Sequence, residues 1–389
     1  MFQGKSVFSQ IVGLIHPQHF SRCVQRYAGD YRVKRFFCWE QFLSMAFAQM
    51  TYRESLRDIE ACLSARPDAL YHMGFRSEIC RSTMADANET RDWRIYRDLA
   101  LILIAKARRL YALDDQGIDL KETVYALDST TIDLCLSIFT WAAFRRAKGA
   151  IKLHTLLDLR GPIPTFIEIT AGKIHDVNVL DSLLIEPGSF YVMDRGYMDF
   201  ARLYLMSQAG GYFITRAKEN LRFSRHTSQP VDYTEGLRSD HIGMVHGSLS
   251  RSKYPGKLRR IHYRDPQTDN RLIFLTNHLL LPALNICRLY QLRWQVELFF
   301  KWIKQHLRIK AFYGRSPNAV KTQIWTAICV YLLIAILKKE LKLPLSLHSI
   351  LQILSVNAFE KVPVAELLMK NDSNYQNPLD PNQLIFCDL

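Results

Sequence analysis

Among the eight cysteines, Cys23, Cys38, Cys62, Cys80, Cys135, Cys287, Cys329 and Cys387, no two lie within four residues of each other. That spacing excludes a zinc ribbon and a redox Cys-x-x-Cys, and reads as small apolar core residues in a reducing compartment. No Walker A pattern occurs, so a nucleotide cofactor is not expected. The longest apolar run, Ile324 to Leu337, is shorter than the roughly 20 residues that span a bilayer; a buried helix is the expectation, with no membrane role. Met1 to Ile15 lacks the charged head and continuous apolar stretch of a secretory leader, and none is expected. Internal repeats and low-complexity segments are absent. Acidic residues are also in deficit, 37 against 51 Lys and Arg, for a net charge of +14 in 389 residues and a pI near 9.4. A surface this basic repels itself unless a polyanion neutralises it, and nucleic acid is the first such partner to consider.

What is present is a hydrophobic content of 48%, ample for two or three packed units. From Met1 to about Leu113 apolar residues recur at three and four, as in Phe42, Met45, Ala46 and Met50 and again from Trp93 to Leu110, which predicts helices. Arg22, Arg26, Arg32, Lys34, Arg35, Arg53 and Arg57, interleaved with Trp39 and Tyr52, suit either a DNA-binding helical domain or a solvated basic face. Ser82 to Asp86 offers a helix start, and Asp114 to Gly117 a linker turn.

Beyond the linker the texture changes to strands. Val124–Leu127 leads into Asp128, Ile151–Leu159 and Pro164–Thr170 complete a meander, and Phe190–Met193 leads into Asp194 before a helix at Phe200–Met206 and a strand at Tyr212–Thr215. The alternation predicts an α/β layer architecture. From Lys218 to about Thr276 short β-rich pieces such as Leu258–Tyr263 and Arg271–Leu275 predict a small β-rich insertion. Helix returns from Leu284 to about Met369, with breaks near Gly314–Pro317 and Pro344, and the tail from Asn371 is Asn- and Pro-rich.

Two apolar strands that each end at an aspartate place Asp128 and Asp194 where ligands of open α/β sheets gather, although each alone also suits a turn or cap. The third acid is Glu297. On one continuous helix turning about 100° per residue, Tyr290, Arg293, Glu297 and Lys304 share a polar stripe, beside an apolar face of Leu292, Val296, Phe299, Phe300, Ile303 and Leu307. An ordinary amphipathic helix with an Arg293–Glu297 pair fits the same pattern. Three carboxylates brought together repel one another unless cations lie between them. Hard oxygen donors without cysteine or clustered histidine select Mg²⁺ or Mn²⁺, and two such ions about 4 Å apart perform in-line phosphoryl transfer. Arg293 and Lys304 would hold phosphates, and Tyr290 would bond a phosphate or stack near a base. Asp133 and Asp158 rank below Asp128 as metal acids, and His154 and His175 read as structural histidines.

The sequence resembles the bacterial insertion-sequence transposases of the DDE class in the group with a Tyr-x2-Arg-x3-Glu-x6-Lys signature, the IS-four family. Tyr290, Arg293, Glu297 and Lys304 match that spacing residue for residue. Leu127–Thr131 and Asp194–Asp199 resemble the first- and second-aspartate blocks; Lys152–His154, Gly172–Asp176, Thr215–Lys218, Phe37–Phe42 and Ser55–Ile59 extend the likeness over most of the chain.

The resemblance implies a helical N-terminal DNA-binding domain over 1–117 and a ribonuclease-H-like catalytic domain over 118–217 and 281–312. That domain is interrupted by a β-rich insertion over 218–280 and followed by a helical region and tail over 313–389. It implies that Asp128, Asp194 and Glu297 bind two Mg²⁺ or Mn²⁺ ions and catalyse cut-and-paste transposition on terminal inverted repeats. It further implies DNA contacts by Tyr290, Arg293, Lys304, Arg145, Arg146, Lys148, Lys152, Arg195, Arg216 and Lys218, with double-stranded DNA bridging a homodimer in the bacterial cytoplasm at the nucleoid. Some relatives pass through a DNA hairpin, for which a tryptophan of the insertion holds a flipped base. None of the six tryptophans, Trp39, Trp93, Trp141, Trp294, Trp302 and Trp325, lies there; Phe223, Tyr233 and Tyr254 are the aromatic substitutes.

Overall fold

The computed structural model describes residues 4–370 apart from 115–119, 136, 138, 146–147, 219, 267 and 307–311. The linker turn, Arg146, Leu307 and the tail from Asn371 therefore lie wholly or partly outside the described residues. The chain divides into two compact units, one holding the residues up to Leu110 and from Trp302 onward, the other Tyr111–Lys301. The sequence divides it instead at 117, 217, 280 and 312.

The first unit is helical. Its N-terminal part contains α1 (Val7–Val12), α2 (Pro17–Arg26), α3 (Cys38–Met50), α4 (Leu56–Ser64), α5 (Pro67–Met73), α6 (Arg81–Thr90) and α7 (Arg94–Tyr111). α6 starts one residue before Ser82, with Cys80 in the cap position, so Ser82 does not open it. Cys80 is also exposed, contrary to a core role. Part of the expected basic face is used internally: Arg26 pairs with the nearly buried Asp98, and Arg53 donates to the Thr51 carbonyl.

The second unit is a mixed sheet with α8 (Phe200–Gln208), α9 (Ser248–Lys253), α10 (Ala283–Gln291) and most of α11 (Trp294–His306). The first unit resumes with α12 (Pro317–Glu340), α13 (Leu347–Asn357) and α14 (Val364–Lys370). α12 is long and apolar enough to cross a membrane, but every residue from Thr322 to Leu337 is buried, and the helix packs against α1, α3, α6 and α13. Burial of a largely apolar helix inside a bundle removes the same surface from water that a bilayer would.

The sheet of the second unit comprises β1 (Val124–Leu134), β2 (Ala143–Arg145), β3 (Lys148–Asp158), β4 (Ile163–Ala171), β5 (Phe190–Met193), β6 (Tyr212–Arg216), β7 (Phe223–Gln229), β8 (Leu237–Val245), β9 (Leu258–Arg264) and β10 (Arg271–Thr276). Its order is β2-β3-β1-β5-β6-β10-β9-β8-β7, with β4 paired to β3. β1, β3 and β4 form the expected antiparallel meander. β5 and β6 then add in parallel to β1. The β-rich stretch after Lys218 continues this sheet, because β10 pairs antiparallel with β6. Buried Leu127, Tyr191, Met193, Leu203, Phe213, Leu258 and Leu275 form one core beneath α8.

Candidate active site

Only the first four residues of β1 pair with β5, and the last registered pair is Leu127 opposite Met193. Asp128 and Asp194 are the next residues along these two segments, just past the last registered pair. On the next strand Met193 registers with Thr215, so Arg216 takes the third place in the same row. The Thr215 hydroxyl donates to the Asp194 carbonyl at 3.2 Å. The expectation that both strands end at their aspartates is corrected for Asp128: β1 runs on to Leu134 by pairing with β3 alone. The acid is at the end of the parallel pairing rather than of the strand.

Glu297 is reached through a joint. The sequence reads 290–304 as one helix, but α10 closes at Gln291 and α11 opens at Trp294. Across the junction Arg293 N–H donates to the Tyr290 carbonyl and Val296 N–H to that of Arg293. These three-residue bonds wind the backbone more tightly than an α-helix and break the continuous stripe. Arg293 lies on the joint, donating to Asp128 Oδ2 at 2.5 Å and to Glu297 Oε1 at 2.5 Å. Its side chain is 17% exposed, against 20% for Asp128 and 57% for Glu297. Burial opposes the Arg293 charge, yet Asp128, Tyr290 and Glu297 hold its pKa above the usual value. Tyr290 is buried, meets the Phe274 ring at a tilt with centroids 4.8 Å apart and lies 5.8 Å from the Arg293 guanidinium. It therefore supports Arg293 from below instead of offering an open face to a base.

Burial pushes Asp128 up to about 6, and Glu297 and Asp194 add to the shift while Arg293 and the Ser129 amide oppose it. All three acids thus lie in one electrostatic neighbourhood. As placed, however, the positive charge between Asp128 and Glu297 is Arg293, and among the described residues no three His, Cys, Asp or Glu side chains close on a point that could hold an ion. The donor set itself fits a hard divalent cation: it is all carboxylate, and one member, Asp128, is buried enough that its pKa is raised to about 6 even beside Arg293.

Sequence reasoning missed Asp176 and Tyr197. Asp176 accepts from Ser129 Oγ at 2.9 Å and from Lys152 Nζ at 3.0 Å. Tyr197 is buried, and burial together with Asp128 and Asp176 raises its hydroxyl pKa. The Gly172–Asp176 and Asp194–Asp199 blocks contained both residues. Lys152 differs from its expected DNA role, since its ammonium also donates to the Ile174 carbonyl and its side chain is only 15% exposed. Arg195 and Lys218 are exposed and Arg216 is half-buried. Lys304 is half-buried on α11, while the side chains of Arg145, Arg146 and Lys148 lie outside the described residues. His154 is fully buried and bonded to Thr170 at 2.9 Å, as a structural histidine should be. Asp158 is bound by Arg160 at 2.6 Å and Asp133 is exposed. Of the three aromatic residues considered as substitutes for the tryptophan, Tyr254 is buried, Phe223 lies under Arg260, and Tyr233 is exposed.

Residues 119–333, more than half of the chain and every acid just described, match the family model described as "Transposase DDE domain". The chain belongs to this DDE transposase family. Residues 3–76 match a second family model, a domain of unknown function. The chain is 27% identical over 309 residues to a putative transposase of Sinorhizobium fredii, covering 78% of this chain and 85% of that one. It is 26% identical over 264 residues to a probable transposase for insertion sequence element IS5377 of Geobacillus stearothermophilus, covering 67% and 68%. A solved piggyBac transposase synaptic complex with hairpin DNA aligns with a TM-score of 0.47 at 10% identity, over 96% of this chain and 82% of that one.

Proposed function

We propose that this family member is a cut-and-paste DNA transposase of the IS-four group, built on a ribonuclease-H-like sheet, that cleaves and joins DNA ends with Asp128, Asp194 and Glu297. The observation that carries the reading is that the parallel pairing of β1 with β5 stops at Leu127 and Met193, one residue before Asp128 and Asp194, while Arg293 donates to both Asp128 and Glu297. An antiparallel meander followed by two parallel strands supports the fold assignment. Asp128, Asp194 and Glu297 would hold divalent cations, which when bound supply Lewis-acid activation of a water or 3′-hydroxyl and charge neutralisation at the phosphodiester. The chain's own groups do the positioning. Tyr290 holds up Arg293; Arg293 keeps Asp128 and Glu297 from repelling each other before DNA arrives; exposed Arg195 and Lys218 are placed to receive phosphates. DNA bridging two copies of the chain is part of the same reading.

A purified protein supplied with Mg²⁺ and a duplex carrying the inverted repeats that flank its gene should release the ends and join them to a target plasmid. Glu297→Ala should remove both products while end binding persists. Equal cleavage by that variant would take Glu297 out of the site. The second reading, a DNA-binding remnant that does not cleave, is favoured by the lack of a closed three-ligand group among the described residues; wild-type binding with no cleavage in Mg²⁺ or Mn²⁺ would establish it.

A further inference from the structure

The sheet extension formed by β10, β9, β8 and β7 has two unlike faces. On one, Arg259 and Asp240 form a buried pair at 2.5 Å. On the other, strand alternation and register bring four basic side chains together without an acid. His241 registers with Arg260, Ser239 with His262, and Arg225 with Gly243, so Arg225, His241, Arg260 and His262 share that face. The His241 and His262 rings lie 6.5 Å apart. The Arg260 guanidinium lies over the Phe223 ring, 4.8 Å from its centre, a cation–π contact that holds it on this face.

The cluster also has unmet bonding capacity. Arg260 Nε, His241 Nδ1 and His262 Nε2 are buried and have no hydrogen-bond partner among the described residues. A buried N–H left this way is costly, so Arg260 Nε, and whichever of the two ring nitrogens carries a proton, call for an external acceptor. Burial, then Arg260 and Arg225, lowers the His241 pKa; burial, then Arg260 and His241, lowers that of His262; and burial, then Arg225, lowers that of Arg260. The nearest candidate counter-ion, Asp240, already gives one oxygen to Arg259 Nε at 2.8 Å and the other to Arg259 Nη2 at 2.5 Å.

We propose that this face of β7, β8 and β9 is a phosphate-binding site that holds the backbone of duplex DNA, with Arg225 and Arg260 as the charged donors and His241 and His262 as ring N–H donors. The identification of DNA rests on the function proposed above; the anion chemistry rests on the cluster itself. Three strands about 4.8 Å apart spread the donors over roughly 10 Å, wider than one phosphate and suited to a run of them.

The test is fluorescence anisotropy of an end-bearing duplex against full-length protein over a NaCl series, for the wild type, Arg225→Gln, Arg260→Gln and His262→Gln, with thermal melts as folding controls. Each Arg variant should bind about tenfold more weakly at 150 mM salt and lower the slope of log affinity against log salt by about one. Arg225 is exposed, so its variant keeps the test valid if Arg260→Gln does not fold. Wild-type affinity and slope in Arg225→Gln, with wild-type protein that binds and cleaves, would overturn the site and leave the transposase reading standing. A wild type that neither binds nor cleaves duplex would overturn both. Inorganic phosphate titrated into ¹⁵N-histidine-labelled protein supplies the other arm. Shifts of the His241 and His262 ring signals, lost in Arg260→Gln, together with the weakened DNA binding support the proposal; the same shifts with unchanged DNA binding would mean free anion only and overturn it.

Discussion

Arg293 donates to Asp128 at 2.5 Å across 165 residues of sequence, and it does so from the tight joint between two helices. The same guanidinium holds Glu297, four residues on. One cation thus compensates two acids of the candidate centre, and the protein arranges the carboxylates before any other partner arrives.

Removing that cation should show in the pH dependence. Burial is the main cause that raises Asp128 to about 6, and Arg293 is the largest opposing one. In Arg293→Gln the carboxyl should climb further, so less of it is ionised at any given pH. The acid limb of the cleavage-rate profile in Mg²⁺ should move to higher pH, with a loss of at least about tenfold near pH 6. An acid limb that stays in place would separate this ion pair from the chemistry.

The same residue predicts a conflict between stability and function. The folded-state pKa of Asp128, about 6, lies above the ordinary carboxylate value, so the folded protein takes up a proton that the unfolded chain does not. That contribution is fully present below about pH 4 and is lost as pH rises through 6. Asp128→Asn, which has no proton to lose, should therefore melt higher than wild type at pH 7–8, and the gain should vanish near pH 4. Thermal unfolding of both proteins across that range checks it, and a variant that melts lower at pH 8 would contradict it.

The three acids of the proposed centre are marked in the sequence by local signals: a short apolar run followed by aspartate, and a fixed spacing from Tyr290 to Lys304. What was not legible depends on pairing between distant segments. β1 continues past Asp128 because β3 pairs along its whole length, and no periodicity in Val124–Leu127 announces that. The break at Leu292–Arg293 has no glycine or proline to mark it. Lys152 reads as a phosphate-binding residue until Asp176, 24 positions later, is found against it. The β-rich stretch after Lys218 was found by its composition, but its attachment to β6 is a tertiary register.

His154 supplies a prediction of opposite sign. It is fully buried, and burial lowers its pKa to about 4, with Asp176 opposing and Lys152 reinforcing the shift. Below its ordinary pKa near 6.5 the unfolded chain takes up a proton that the folded one refuses. Stability should be complete above pH 6.5 and fall toward pH 4, by up to about 3 kcal/mol from this residue. Urea unfolding at pH 7 and pH 4.5 should show a smaller loss for His154→Gln than for wild type. Equal losses would mean that the imidazole does not sense the change.

The Asp240–Arg259 pair tests what holds the sheet extension together. Both side chains are almost wholly buried, at 2% and 5% exposure, and Arg259 also donates to the Leu281 carbonyl. Two charges taken out of water roughly cancel their desolvation cost when paired, whereas one left alone does not. Asp240→Ala should therefore cost about 3–5 kcal/mol, because it strands a buried guanidinium, while the double change Asp240→Leu with Arg259→Met should cost much less. A double-mutant cycle by denaturant unfolding measures the difference. If the single and double variants lose the same stability, the pair is not what ties β8 to β9, and the apolar contacts of Leu237, Ile261 and Phe274 carry that junction instead.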